Sequence, residues 1–356
     1  MESSYWDTLH EVQDSEPILL YGTGNGADKI LDLFAQRGIR VSGVFASEGF
    51  VRNRYFRGMK VLSYREALES FGPGFTVVLA FGSSLPDVMD RIRDVGARHR
   101  LIIPDLPLYG GEIFDLPYFD SHCDSIRGIR ELLADDLSKE ILDDLIRFRL
   151  TGSLECLSKT EPFAASVGSL LSVRRYGAVL DGGAFTGDTS AVLAEILHPE
   201  VIMCAEPDPH SYFRLLKRLS GLAVPGYMTF NRALWDDDTL LPYNSSGSRG
   251  SGNSGANRRS RAVSVRTVTL DTLSGFKAPD LIKLDIEGAE MAALRGGADT
   301  LSRVQPDLIV SLYHRTDDII DIPSFVHSVL PGHSLYLRRV PCFPFWDLNL
   351  FAIKNG

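Results

Sequence analysis

The chain has 356 residues, 44% hydrophobic and 23% charged, with a formal net charge of −9. Such a length suggests two domains and such a composition a globular protein, while the acidic balance disfavours nonspecific nucleic-acid binding, which rests on attraction to phosphates. No run of about 18 apolar residues occurs, so no membrane span is expected. The N-terminus MESSYWDTLHEVQDSEP lacks the basic and apolar regions of a signal peptide. The four cysteines (Cys123, Cys156, Cys204, Cys342) form no C-x-x-C pair, which fits reduced cytoplasmic thiols rather than structural zinc.

In chain order, PILLYGTG predicts an apolar strand ending in a glycine turn, and GADKILDLFAQRG a helix stopped at Gly38. Strands at IRVSGVFAS, FTVVLAFGSS and RLIIPDLP, with a helix over PDVMDRIRDVG, continue the alternation of a parallel α/β sheet. This first Rossmann-like unit is assigned to residues 1–118. Residues 119–165, which include SIRGIRELLADDLSKEILDDLIRFRLTG, carry apolar residues at helical spacing and predict a linker of two helices, the second stopped at Gly152. Asp135, Asp136, Lys139 and Glu140 read there as a solvated face.

Residues 166–356 begin a second α/β unit with GAVLD, a helix over 188–197, VIMCAEP, a helix over PHSYFRLLKRL, and MTFNRALW. NSSGSRGSGNSGANRRSR (244–261) is rich in Gly, Ser and Asn and cannot build a core. It reads as a mobile insert, or as a lid in which Arg249, Arg258, Arg259 or Arg261 grips an acidic group. The strands AVSVRTVTL, DLIKLDI and DLIVSLYH follow, with one helix over AEMAALRGGADTL and another near 323–330. HSLYLRRV and LNLFAIKN close the unit as an antiparallel pair. Two Rossmann-like units are therefore expected, the second with a seven-stranded sheet ending in a β-hairpin.

Four motifs fall at strand ends, where open α/β sheets bind ligands. The turn Asp181–Gly187 allows close backbone approach, yet Asp181 and Asp188 oppose a pyrophosphate and suit a positively charged ligand. Glu206, at the next strand end, is placed to accept hydrogen bonds from a ribose. In IKLDIEGAE, Lys283 and Asp285 share one face of a strand, with Glu287 and Glu290 opening the following helix. His314, in SLYHR, ends the next strand and is a candidate proton acceptor.

With LDGGAFTGDT, AEPDP, LDTL, IKLDIEGAE and SLYHR in this order, residues 166–356 resemble the FkbM family of class I, S-adenosylmethionine-dependent methyltransferases. The resemblance implies O-methylation of a hydroxyl on a sugar or natural product. It places Asp181, Gly182, Gly183, Ala184, Phe185, Thr186, Gly187, Asp188 and Thr189 around the methionine moiety. Glu206 is placed on the ribose, Pro207 and Asp208 beside the adenine with Asn231 and Ala233 flanking it, and Asp285 facing the methyl group. Phe185 stands where the common methyltransferase turn has glycine, and so would narrow the pocket. His314 is the first choice of base and Asp285 the second; Asp285 could instead orient His314, or hold magnesium with Glu287.

The first unit resembles the amino-terminal domains of nucleotide-sugar acyltransferases. Its turn carries Gly22, Gly24 and Gly26 but only approximates G-x-G-x-x-G. An NAD-dependent or nucleotide-sugar-modifying enzyme using this turn, or a non-catalytic binding protein, are the rival readings. The expected partner is a hydroxylated small molecule, with homo-oligomerisation left open.

Overall fold

The computed structural model describes residues 3–51, 54–109, 111–245 and 261–355. Most of the Gly/Ser/Arg insert, including Arg249, Arg258 and Arg259, lies outside the described residues.

The first sheet comprises β1 (Ile18–Tyr21), β2 (Gly43–Ala46), β3 (Tyr55–Phe56), β4 (Met59–Ser63), β5 (Thr76–Leu79) and β6 (Leu101–Ile102), in the order β3-β4-β2-β1-β5-β6. β1 lies between β2 and β5, parallel to both. All four residues of each of these three strands are buried, which is why they read as unbroken apolar runs. Sequence patterning missed the β3–β4 hairpin and the helices Tyr5–Val12 and Tyr64–Phe71. Their apolar faces are short and interrupted by charge.

The second unit contains β7 (Ala178–Gly182), β8 (Val201–Ala205), β9 (Gly226–Phe230), β10 (Ala233–Leu234), β11 (Leu240–Ser245), β12 (Arg261–Val268), β13 (Leu281–Leu284), β14 (Asp307–Ser311), β15 (His333–Arg339) and β16 (Leu348–Lys354). Seven form the main sheet in the order β15-β16-β14-β13-β7-β8-β9, with the expected antiparallel β15–β16 pair at one edge. The order reverses between β13 and β7, so a crevice opens beyond their carboxyl ends.

Two expected elements are each divided, and β11 and the helices Phe163–Leu171 and Leu270–Ser274 were not foreseen. MTFNRALW divides into β9 in the main sheet and β10, which joins β11 and β12 in a separate three-stranded sheet. The chain leaves β9 because the Asn231 amide bonds to the carbonyls of Glu206 and Pro207, at 2.8 and 3.1 Å. AEMAALRGGADTL makes two helices, Glu290–Arg295 and Ala298–Val304. At the Gly296–Gly297 break, a Cβ on Gly296 would fall 2.4 Å from the Trp235 carbonyl oxygen.

The linking helices are Leu116–Leu132 and Asp136–Thr151, the second closed by Gly152 in the left-handed region at φ 61°. Asp135 is not part of a solvated face. Its carboxylate caps the second helix at Ser138 N and pairs with Arg338 of β15 at 2.6 Å. A single apolar cluster runs from Leu19 and Val77 through Leu145 and Phe148 to Leu180, Leu335 and Phe343, so the two units and the helices between them share packing.

Candidate functional site

A cavity of about 620 Å³ lies beyond the carboxyl ends of β7, β8 and β13, a volume suited to a cofactor-sized ligand. Gly183, Phe185, Asp188, Thr189, Glu206, Pro207, Asp208, Ala233, Asp285 and Glu287 all line it, as expected from their strand-end positions. Gly182, Ala184, Thr186, Gly187 and Asn231 do not. Gly187 caps the helix Asp188–Leu197 at φ 79°, and Asn231 holds the backbone beside Glu206.

Gly183 is the position at which glycine is obligatory. Its φ is +74°, and a Cβ there would lie 1.9 Å from the Asp285 carbonyl oxygen. Phe185 takes a glycine-like conformation at φ 47°, and its N–H donates to Glu206 at 2.9 Å. The second Glu206 oxygen accepts from Asp208 N at 2.7 Å. Burial pushes the Glu206 carboxyl up to about 7, against the two backbone N–H groups and with help from Asp208 and Asp181. Asp208 spends one oxygen on capping the helix Pro209–Leu219, accepting from His210 N and Ser211 N.

Asp181 requires a correction. It is fully buried and does not reach the cavity wall. Register places it directly opposite Lys283 on β13, whose ammonium sits 3.1 Å from Oδ1, while Ser190 donates to Oδ2 at 2.5 Å. The Asp181 charge is therefore neutralised within the protein, and the carboxylates on the cavity wall are those of Asp188, Glu206, Asp208, Asp285, Glu287 and Asp347 instead. Burial would lower the Lys283 ammonium, but Asp181 and Asp285 outweigh it and hold it above its ordinary value.

Asp285 faces the cavity with its side chain one-third exposed. Tyr313 donates to Oδ1 at 3.0 Å, and Lys283 lies 3.9 Å from Oδ2. Burial pushes this carboxyl up, yet Lys283, His314 and the Tyr313 hydroxyl together hold it below the usual carboxylate range.

His314, the expected base, is fully buried and is not on the cavity wall. Nδ1 lies 2.9 Å from Glu290, and Nε2 lies 3.5 and 3.6 Å from Glu287 and Asp285. Burial would lower the imidazole, but Glu290 first, then Asp285 and Glu287, push it up to about 10. A ring held in its protonated form is a poor proton acceptor. Asp285, Glu290 and His314 offer ligand atoms within 4.8 Å of one another, but a cation there would have to displace the imidazole proton, and magnesium takes oxygen ligands rather than imidazole. Glu287 accepts the Tyr109 hydroxyl. This donor set does not fit the magnesium reading.

Patterning missed the residues that come from elsewhere in the chain. Gly82, Ser83, Ser84, Leu108 and Tyr109 of the first unit line the cavity, as do Cys342, Trp346 and Asp347 of the β15–β16 connection and Asn349 of β16. No local motif marks them. Lys283 and Tyr313 stood inside recognised motifs, but their partners became visible only through strand register.

Residues 181–330 match the family model described as the methyltransferase FkbM domain. No curated protein matches the sequence. The fold is similar to that of a methyltransferase FkbM from Methylobacillus flagellatus KT, at 18% identity, covering 99% of this chain and 94% of that one, with a TM-score of 0.70. More distant likenesses include an rRNA methylase from Streptococcus thermophilus (11% identity, 54% of this chain, 94% of that one, TM-score 0.35). A precorrin-6y C5,15-methyltransferase from Geobacter metallireducens GS-15 is comparable (11%, 54%, 87%, TM-score 0.35).

Proposed function

We propose, from the match of residues 181–330 to the methyltransferase FkbM domain, that the chain transfers a methyl group from S-adenosylmethionine to a hydroxyl of a sugar or natural product. The observation that carries this reading is the charge of the cavity. Its wall has six carboxylates, Asp188, Glu206, Asp208, Asp285, Glu287 and Asp347, against two cations, Arg232 and Lys283, and the buried Lys283 ammonium is already paired with Asp181. A pyrophosphate would meet carboxylates here, whereas a sulfonium, an ammonium and ribose hydroxyls find acceptors.

The residues fit the cofactor. Glu206, with each oxygen already receiving one backbone N–H, keeps further lone pairs for ribose hydroxyls. Gly183 lets the backbone of the turn approach the β13 end without a side chain between them. Asp188, in the first turn of its helix, offers an acceptor to an ammonium. When bound, S-adenosylmethionine supplies an electrophilic methyl group on a sulfonium.

In this reading Asp285 takes the role expected of His314. Its ionised carboxylate orients the acceptor hydroxyl and receives the proton as the oxygen loses it. Lys283, Tyr313 and the His314 imidazolium keep that carboxylate ionised and aimed. A hydroxyl acceptor suits this weak, fixed base because the proton is lost late, as the new bond removes electron density from oxygen.

Calorimetry with S-adenosylmethionine, S-adenosylhomocysteine and NAD tests the cofactor. Binding of the first two without NAD is expected, and binding of NAD alone would overturn the proposal. Incubation with labelled S-adenosylmethionine and a cell extract tests the acceptor. A product labelled on oxygen is expected; label confined to nitrogen or carbon would remove the hydroxyl assignment.

A further inference from the structure

We propose that Tyr109, supplied by the first α/β unit, is a positioning residue that holds the Glu287–His314–Asp285 cluster in register with the cavity, so that the first unit is a working part of the reaction site. The inference rests on the methyltransferase reading and adds a role for the domain that reading leaves unused.

Tyr109 follows β6 and is buried, yet it reaches the second unit at three points. Its hydroxyl donates to Glu287 Oε2. Its backbone N–H donates to the His314 carbonyl at 3.3 Å. Its ring meets the His314 ring edge-to-face at 5.6 Å between centroids. Glu287 needs such a restraint. It occupies the left-handed region at φ 60° without being glycine, a strained conformation that persists where the surroundings enforce it. The next residue, Gly288 at φ +89°, leaves space that Tyr109 occupies, since a Cβ there would lie 3.1 Å from Tyr109 Cβ.

The segment carrying Tyr109 is itself anchored. Arg149 pairs with Asp105 at 2.9 Å and donates to the Thr316 carbonyl at 3.0 Å, and Thr316 Oγ1 donates to the Glu112 carbonyl at 2.5 Å. Around His314 stand Asp285, Glu287 and Glu290, with Asp318 and Arg315 from the adjoining turn and the Tyr109 and Tyr313 hydroxyls at the edges. The Tyr109 hydroxyl ties Glu287 to this set from outside the second unit. In its absence the partly exposed Glu287 carboxylate loses a fixed donor and its pull on the His314 proton weakens.

Tyr109→Phe keeps the ring and removes the hydroxyl; Tyr109→Leu removes both. Three measurements on the full chain decide the matter. Calorimetry with S-adenosylmethionine reports the cofactor site. Titration of His314 by 13C-histidine NMR, assigned with His314→Gln, reports the cluster without needing the acceptor. Label transfer into the small-molecule fraction of a cell extract reports turnover. For Tyr109→Phe we expect an affinity for S-adenosylmethionine within about twofold of wild type, a His314 titration moved down by about half a pH unit or more, and label transfer reduced about tenfold or more. An unmoved His314 titration in Tyr109→Phe overturns the proposal, whatever Tyr109→Leu does, because a packing role would spare the phenylalanine. A wild-type chain that fails to bind S-adenosylmethionine overturns the underlying reading instead, while the NMR arm still decides whether Tyr109 positions the cluster.

Discussion

Lys283 is the residue on which the local electrostatics turn. It is 3% exposed and lies between Asp181 and Asp285. Removing one partner of a buried ion pair leaves an uncompensated charge, at a typical cost of about 3–5 kcal/mol. Lys283→Met is therefore expected to lower stability by an amount in that range in urea unfolding; a loss below about 1 kcal/mol would show that Asp181 is neutralised otherwise. Gly183→Ala places a Cβ 1.9 Å from a backbone oxygen. It should cost about 2 kcal/mol or more and weaken S-adenosylmethionine binding, read by the same two methods. Glu206 gives a pH dependence with a defined sign. Its carboxyl, pushed up to about 7 in the folded chain from an ordinary value of 4.5, binds more protons folded than unfolded between those values. Its contribution to stability is full below about 4.5 and is lost as pH rises through about 7. Glu206→Gln should flatten the stability profile across that window and weaken ribose binding; an unchanged profile would place the Glu206 carboxyl at its ordinary value.

At the scale of elements, the helix Asp136–Thr151 shows how capping and tertiary contact combine. Asp135 caps its start and pairs with Arg338, Ser138 accepts from the Leu337 N–H at 2.9 Å, and Gly152 ends it against the backbone of Ile103. The helix is thereby fixed to β15 at one end and to the close of the first sheet at the other. Gly152→Ala must place a side chain at φ 61° and 3.1 Å from the Ile103 N and O. A loss of about 1–2 kcal/mol or more follows from the left-handed conformation and the crowding, measurable by thermal unfolding. Most of the strands and helices were legible in the sequence because their apolar spacing is regular, whereas the short β3–β4 hairpin and β11 were not. The helix pairs around Gly296 and the β9–β10 break were not, because a backbone contact from Trp235 and a side-chain bond from Asn231 decide them.

Across the whole molecule, the cavity is closed by both units. Ser83 and Phe343 exchange two backbone hydrogen bonds, at 2.8 and 2.9 Å. A Cβ on Gly82 would fall 2.1 Å from the Trp346 ring, so the ring seats on bare backbone of the first unit. With an apolar cluster continuous through both sheets, unfolding is expected in one cooperative step. Far-ultraviolet circular dichroism and tryptophan fluorescence should give coincident transitions in urea; separate midpoints would show that the units fold independently. The amino-acid sequence by itself determined the two α/β units, the turn, the acidic strand ends and the family resemblance, because apolar periodicity and glycine placement act locally. Only the tertiary structure decided which carboxylates remain for a ligand. Register set Lys283 opposite Asp181, the three acids around His314 raised its hold on a proton, and the fold brought Tyr109 to Glu287, 178 residues away in sequence, and Trp346 to Gly82.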